Sequence, residues 1–287
     1  MTIHRRFVDI AEGQMHLRIA GPAPNWSMHR PVALFHGSPG SARSFDRLIR
    51  DLAESRAVIA PDTLGQGDSS APNVDEPDMA YIADAAWRAI EAAWPGFDKI
   101  DLFGTHTGAR IALEISLAHP ERVGKLILDG MSAGVSAANR KYAAKLAEPP
   151  PIDLEGTQFL TVFNTLRDAH LFWPYYERDA EHRRPTGLPS AAALHERTVD
   201  ILKGLLTAHH AYRAAVLYPA DEQLPKITVP TLVTCARNDV PYPSFDKVAE
   251  LVPGCVKMEH PADNTETLAS DADIAALAKM LTDWLDE

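Results

Sequence analysis

The chain has 287 residues, room for one large α/β domain or two small ones. Hydrophobic residues make up 46% and charged residues 23%, the balance of a globular protein with a full core. The formal net charge of −11 repels phosphate backbones and anionic membranes, which argues against a nucleic-acid or membrane partner.

Residues Met1 to Gly13 lack the apolar stretch of a signal peptide, and no apolar run approaches the length of a membrane span. Cys235 and Cys255 both fall in apolar strand-like runs and form no metal or disulfide framework. Buried free thiols and a cytoplasmic location are the expectation.

Short apolar runs alternate with helical patterns along the chain, which predicts a mostly parallel sheet covered on both faces. Arg6–Ile10 and Met15–Ile19 flank Glu12-Gly13 and predict an opening hairpin. Pro31–Phe35 is a buried strand, followed by His36-Gly37-Ser38-Pro39-Gly40 and a helix from about Ser41 to Glu54. Ala57–Ala60 is the next strand, and it runs into Pro61-Asp62-Thr63-Leu64-Gly65-Gln66-Gly67-Asp68-Ser69. Met79–Ala93 has helical spacing, Ile100–Phe103 is a strand, Thr107–Ala118 a helix, and Leu126–Leu128 a strand ending at Asp129-Gly130.

From 133 to 221 the pattern is helix-rich, punctuated by proline and aromatic, with Phe172-Trp173-Pro174-Tyr175-Tyr176 at its centre. Strands return at Thr231–Ala236 and Val256–Glu259. A final amphipathic helix, about Asp271 to Trp284, spaces Ile274, Leu277, Leu281 and Trp284 for burial. The expected organisation is a core domain of residues 1–132 and 222–287, interrupted by a helical insertion at 133–221.

The segment Gly104-Thr105-His106-Thr107-Gly108 joins a strand to a helix through a glycine-flanked turn, the frame that lifts a nucleophile above a parallel sheet. Its tip is an imidazole rather than a serine hydroxyl.

Four segments together resemble the α/β-hydrolase fold family over essentially the whole chain. His36-Gly37-Ser38-Pro39-Gly40 is similar to the family's oxyanion loop, and Asp62 to Ser69 to its D-x-x-G-x-G-x-S loop. Gly104 to Gly108 fills the elbow frame, and Arg237-Asn238-Asp239 stands where the family carries its acid after the seventh strand. The resemblance implies an α/β-hydrolase fold with a helical lid. It also places His106 at the nucleophile position, Asp239 at the acid position and Asn264 in the slot of the usual catalytic histidine, with His260 four residues away. Backbone N–H groups of Ser38 and Thr107, in loops that include Gly37, would form an oxyanion hole.

A histidine with an ordinary pKa near 6.5 is partly neutral at pH 7 and serves as a general base or, less readily, as a nucleophile. The residues therefore point to hydrolysis of an ester, lactone or similar carbonyl bond, with no cofactor implied. Two other readings stay open: a cofactor-independent lyase or isomerase with His106 as base, and a ligand-binding protein without catalysis. Trp173 and Tyr176 would form part of an apolar pocket for a small, apolar or aromatic substrate, or pack the insertion onto the core.

Plainer roles stand beside these. His36 is expected to bond loop backbone and Asn264 suits a turn, while His260 suits a strand end or, brought inward by a loop shift, the substrate pocket. His182 and His209-His210 lack metal-ligand spacing. Arg183-Arg184 reads as a solvated surface pair.

Overall fold

The computed structural model describes residues 1–23, 28–146, 149–263 and 268–287. Eight strands form one sheet: β1 (His4–Ile10), β2 (Gly13–Ala20), β3 (Val32–Phe35), β4 (Val58–Pro61), β5 (Ile100–Thr105), β6 (Val123–Asp129), β7 (Thr231–Cys235) and β8 (Val256–Glu259). Their spatial order is β1-β2-β4-β3-β5-β6-β7-β8. β2 runs antiparallel to both of its neighbours, and the remaining pairs are parallel.

Side-chain alternation divides the core into two layers. Ala33 and Phe35 of β3, Leu102 of β5 and Leu126 and Leu128 of β6 face one cluster. Val32, Leu34, Phe103 and Ile127 face the other. On the first face lie α2 (Met79–Ala93), α3 (Thr107–Ala118) and α9 (Phe245–Leu251); on the second lie α1 (Asp46–Leu52) and α10 (Asp271–Asp286). Strands covered on both sides carry no polar face, and β3, β4, β5 and β7 are buried along their whole length. Asp78 caps α2 by accepting from the Tyr81 N–H, and Ser270 with Asp273 forms a capping box on α10.

Between β6 and β7 run α4 (Ala137–Leu146), α5 (Thr157–Leu171), α6 (Ala191–Lys203), α7 (Ala208–Val216) and α8 (Ala220–Gln223). One antiparallel bridge, Phe172 with Arg183, breaks the helical pattern there. It folds the aromatic stretch back on itself, with the Trp173 N–H donating to the His182 carbonyl at 2.9 Å.

The hairpin, the α2 and α3 bounds and the C-terminal helix agree with the sequence pattern. Three details differ. The helix expected from Ser41 starts as a 3-10 turn over Ala42–Phe45, with the Ser41 hydroxyl accepting from the Arg43 N–H. The helix α9 carries no sequence signal strong enough to read, because only Phe245 and Val248 of its seven residues are buried. Cys235 is buried as expected, but Cys255 is half-exposed, since it precedes β8 at the open edge of the sheet.

Candidate active site

Packing of β5 against β3 and α3 creates the turn at residues 104–108, and both glycines are required by contact. A Cβ on Gly104 would lie 2.1 Å from the Gly108 carbonyl oxygen, and one on Gly108 would lie 1.9 Å from the Phe35 carbonyl oxygen. His106 at the tip has φ 52° and ψ −110°, and no other non-glycine among the described residues has positive φ. Such a conformation costs on the order of 1–3 kcal/mol and persists only where the surroundings over-determine it. They do: the His106 N–H donates to the Asp129 carbonyl at 3.0 Å, tying the tip to the end of β6.

The imidazole meets Asp239, on the loop after β7, with Nε2 and Oδ2 only 2.6 Å apart. The second carboxylate oxygen of Asp239 accepts from the Val240 N–H at 2.8 Å, which fixes its plane. A carboxylate accepts, so Nε2 carries a proton and donates in this contact. Nδ1 lies on the Gly37 side, where a Cβ on Gly37 would approach it to 3.2 Å.

Gly130 completes the arrangement. It has φ +58°, and a Cβ there would fall 2.7 Å from both Asp239 Oδ2 and His106 Cδ2. The pair fits only because this position has no side chain. Gly130 was visible in the sequence merely as the end of a strand, although a glycine directly after a buried strand that faces a loop acid is a usable signal.

The pair opens into a cavity of about 1130 Å³ roofed by the helices between β6 and β7. Ser38, Thr107, Trp173, Tyr176 and Asp239 line it, as does His106. Thr107 is the first residue of α3, so its N–H has no partner within the helix and points with the positive end of the helix dipole. Gly37 lies beside the imidazole, on its Nδ1 side.

His260 is not brought into this cavity. Its Nδ1 engages the backbone of Ala262, and it borders a void of about 20 Å³ with Thr105 and the buried Asp129. β8 simply ends with that side chain directed toward α1 and α10. Burial pushes the Asp129 carboxyl above the usual carboxylate range, against the pull of nearby His260. Asn264 lies outside the described residues.

Several lining residues had no role in the sequence reading. Arg110 stands four residues after His106 on α3, on the same face one turn along. Its Nη1 donates to the His106 carbonyl and its Nη2 to Ser132 Oγ, each at 2.9 Å. A charged residue in the otherwise apolar, Ala-rich start of that helix was the available clue. Arg184 is half-buried and lines the cavity rather than belonging to a solvated pair. It is held by the Ala169 and Asn238 carbonyls because the bridge at Phe172 turns it inward. Tyr142 and Tyr212 hydroxyls meet at 2.9 Å, and burial raises both above the usual phenol range.

The flanking loops are braced rather than reactive. His36 donates from Nδ1 to the Gly37 carbonyl and accepts the Thr63 N–H on Nε2, joining the two glycine-rich loops. Burial pushes its pKa below 6.5, consistent with a neutral ring. Asp62 accepts from Ala42, Asp68 and His16. His16, Asp62 and Asp68 lie close enough together to suggest a metal group. Arg5 donates to His16 Nε2, and Arg5 and Lys203 both pair with Asp68, so the ligand atoms are already committed.

The chain belongs to the α/β-hydrolase fold family, whose model matches residues 30–246. Its relatives include a 2-hydroxymuconate semialdehyde hydrolase from Pseudomonas sp. (strain CF600), 42% identical over 109 residues. That match covers 37% of this chain and 38% of the relative. A proline iminopeptidase from Lactobacillus delbrueckii subsp. bulgaricus is 33% identical over 138 residues, covering 46% and 45%. The chain thus matches less than half the length of either. The enol-lactonase from Burkholderia xenovorans LB400 has the same fold, with a TM-score of 0.73 at 15% identity over 98% of this chain and 100% of that one. No helix among the described residues is long and apolar enough to cross a membrane.

Proposed function

We propose that this protein hydrolyses an ester, lactone or similar carbonyl bond of a small molecule, with His106 as the general base. The observation that carries the reading is the 2.6 Å contact of His106 Nε2 with Asp239 Oδ2 at the tip of the elbow, open to the cavity. In this reading Asp239 fixes the tautomer and stabilises the imidazolium that forms. Nδ1 takes a proton from water as the water oxygen attacks the carbonyl carbon. Negative charge then collects on the former carbonyl oxygen, where the Ser38 and Thr107 N–H groups receive it. The imidazolium returns its proton to the departing alkoxide, leaving acid and alcohol.

General-base action is favoured over direct attack by the ring. The nitrogen that keeps its lone pair is Nδ1, which is flanked by the residue's own Cβ and by Gly37, so it is crowded as a nucleophile toward carbon. Proton transfer needs only a hydrogen bond. The helices over the cavity act as the lid in this reading, with Trp173 and Tyr176 holding an apolar or aromatic part of the substrate.

The test compares wild type with His106→Ala on a panel of aryl esters and lactones across pH, in ¹⁸O-labelled water. Saturable turnover that puts label into the acid, and that vanishes in a folded alanine variant, is the expected result. Equal, non-saturating rates for the two proteins would overturn it.

A further inference from the structure

Arg110 is 8% exposed and carries its charge in the wall of the cavity, beside the reactive pair. Its hydrogen bonds go to neutral oxygens, those of the His106 carbonyl and the Ser132 hydroxyl, and its Nε has no partner. The natural counter-ion on the same helix face is Glu114, four residues on. That carboxylate is instead taken by the Tyr218 hydroxyl at 2.5 Å. Among the described residues, the ionisable groups that most affect Arg110 are two tyrosines, Tyr218 and Tyr212, and no carboxylate. Arginine stays protonated in proteins, so among the described residues this is a buried cation without an anion. Leaving a buried charge unpaired is costly, and such a charge is retained where something else supplies the partner.

The rest of the wall agrees. In a protein of net charge −11, the described cavity lining includes Arg184 and Arg197 as well, while its acids are Glu177 and the already engaged Asp239. Arg184 also spends its hydrogen bonds on backbone carbonyls. The cavity is a cationic chamber in an anionic molecule.

We propose that the cavity takes a carboxylate-bearing ligand and that Arg110 binds its carboxylate. The planar guanidinium matches a carboxylate with paired hydrogen bonds, and Ser132 beside it supplies a further hydroxyl. Because Arg110 sits one turn of α3 from His106, the carboxylate is anchored close to the bond presented to the imidazole. Tyr142 packs against Trp173 and Tyr176 with tilted rings in the cavity wall, and the three hold the remaining, flat and apolar part. This assignment rests on the reading of the cavity as the substrate site.

The test measures binding, independent of turnover, by titration calorimetry. Phenylacetate and cinnamate are compared with phenylacetamide and cinnamamide on wild type, His106→Ala, Arg110→Gln and Arg110→Lys. Wild type and His106→Ala are expected to bind the carboxylates about ten-fold or more tightly than the amides, the size of one charge-assisted hydrogen bond. Arg110→Gln abolishes the preference, and Arg110→Lys keeps part of it. Equal affinity for acid and amide in wild type overturns the proposal without any variant, and so does a preference that survives in folded Arg110→Gln. A carboxylate preference in a protein that turns over no ester would defeat the hydrolase reading and leave this one standing. Ester turnover without the preference would do the reverse.

Discussion

The sheet and the helices that roof it are built by different rules. In β3, β4 and β5 every residue is buried, and Leu34, Ile59 and Leu102 are wholly inaccessible. In the roof α5 buries only Gln158, Val162 and Asp168 of fifteen residues, and it leaves Phe159 and Leu160 exposed. The hydrogen-bonded pair and the glycine that makes room for it all follow strands of the sheet: His106 after β5, Gly130 after β6, Asp239 after β7. The roof lines the cavity, with Trp173, Tyr142 and Arg184 among its residues. Geometry that must hold to a fraction of an ångström is carried by the close-packed layer. Surfaces that enclose the cavity are carried by the thinly packed one, while the Arg110 charge stands on α3 in the close-packed layer.

This division is open to attack, first through catalysis. Asp239→Asn leaves the volume unchanged but removes the acceptor that sets the His106 tautomer, and turnover should fall by about 10²–10⁴-fold. Trp173→Ala in the roof should act mainly on KM. Steady-state kinetics of both variants decide, and a roof variant that matches the Asp239 loss in kcat would erase the distinction.

The next effect is on stability. Leu34→Ala should cost about 2–5 kcal/mol, whereas Leu160→Ala, on the exposed face of α5, should stay within about 0.5 kcal/mol. Urea unfolding of the two variants checks this. A smaller cost of about 1–2 kcal/mol is expected for Gly130→Ala, from its positive φ alone. The added methyl group also enters the space between His106 and Asp239. Activity should therefore fall far more than stability, and retained activity would show that the pair tolerates displacement.

The smallest effect concerns pH. His36 has its pKa lowered below 6.5 in the folded state, so below about pH 6.5 the unfolded chain binds more protons than the folded one. Its share of stability is present above that pH and is lost as pH falls toward the folded-state value. The melting temperature of wild type should drop on acidification through this window more steeply than that of His36→Gln. Parallel curves would mean that His36 is not the group involved.

Much of the framework was legible because periodicity and glycine placement are local. Val32–Phe35 has to be a strand buried on both faces, and Gly104 and Gly108 announce a turn that admits no side chains. The expectation for His36 was equally local, and it does bond the loop backbone. Failures came where local pattern carries no information about neighbours. Arg184 looks like half of a surface pair until the Phe172 bridge turns it inward. His260 is four residues from a slot of interest, yet it borders a separate small void beside Asp129.

Sequence alone determined that a parallel sheet forms, that it presents His106 on a glycine-flanked turn, and that an acid follows β7. These follow from side-chain alternation and from steric demands within a few residues. Only tertiary structure decided that His106 and Asp239 share a hydrogen bond, that Gly130 leaves room for it, and that Arg110 stands in the cavity wall with no counter-ion among the described residues. Those outcomes depend on distances between segments far apart in the chain, which packing of the layers sets and no local pattern encodes.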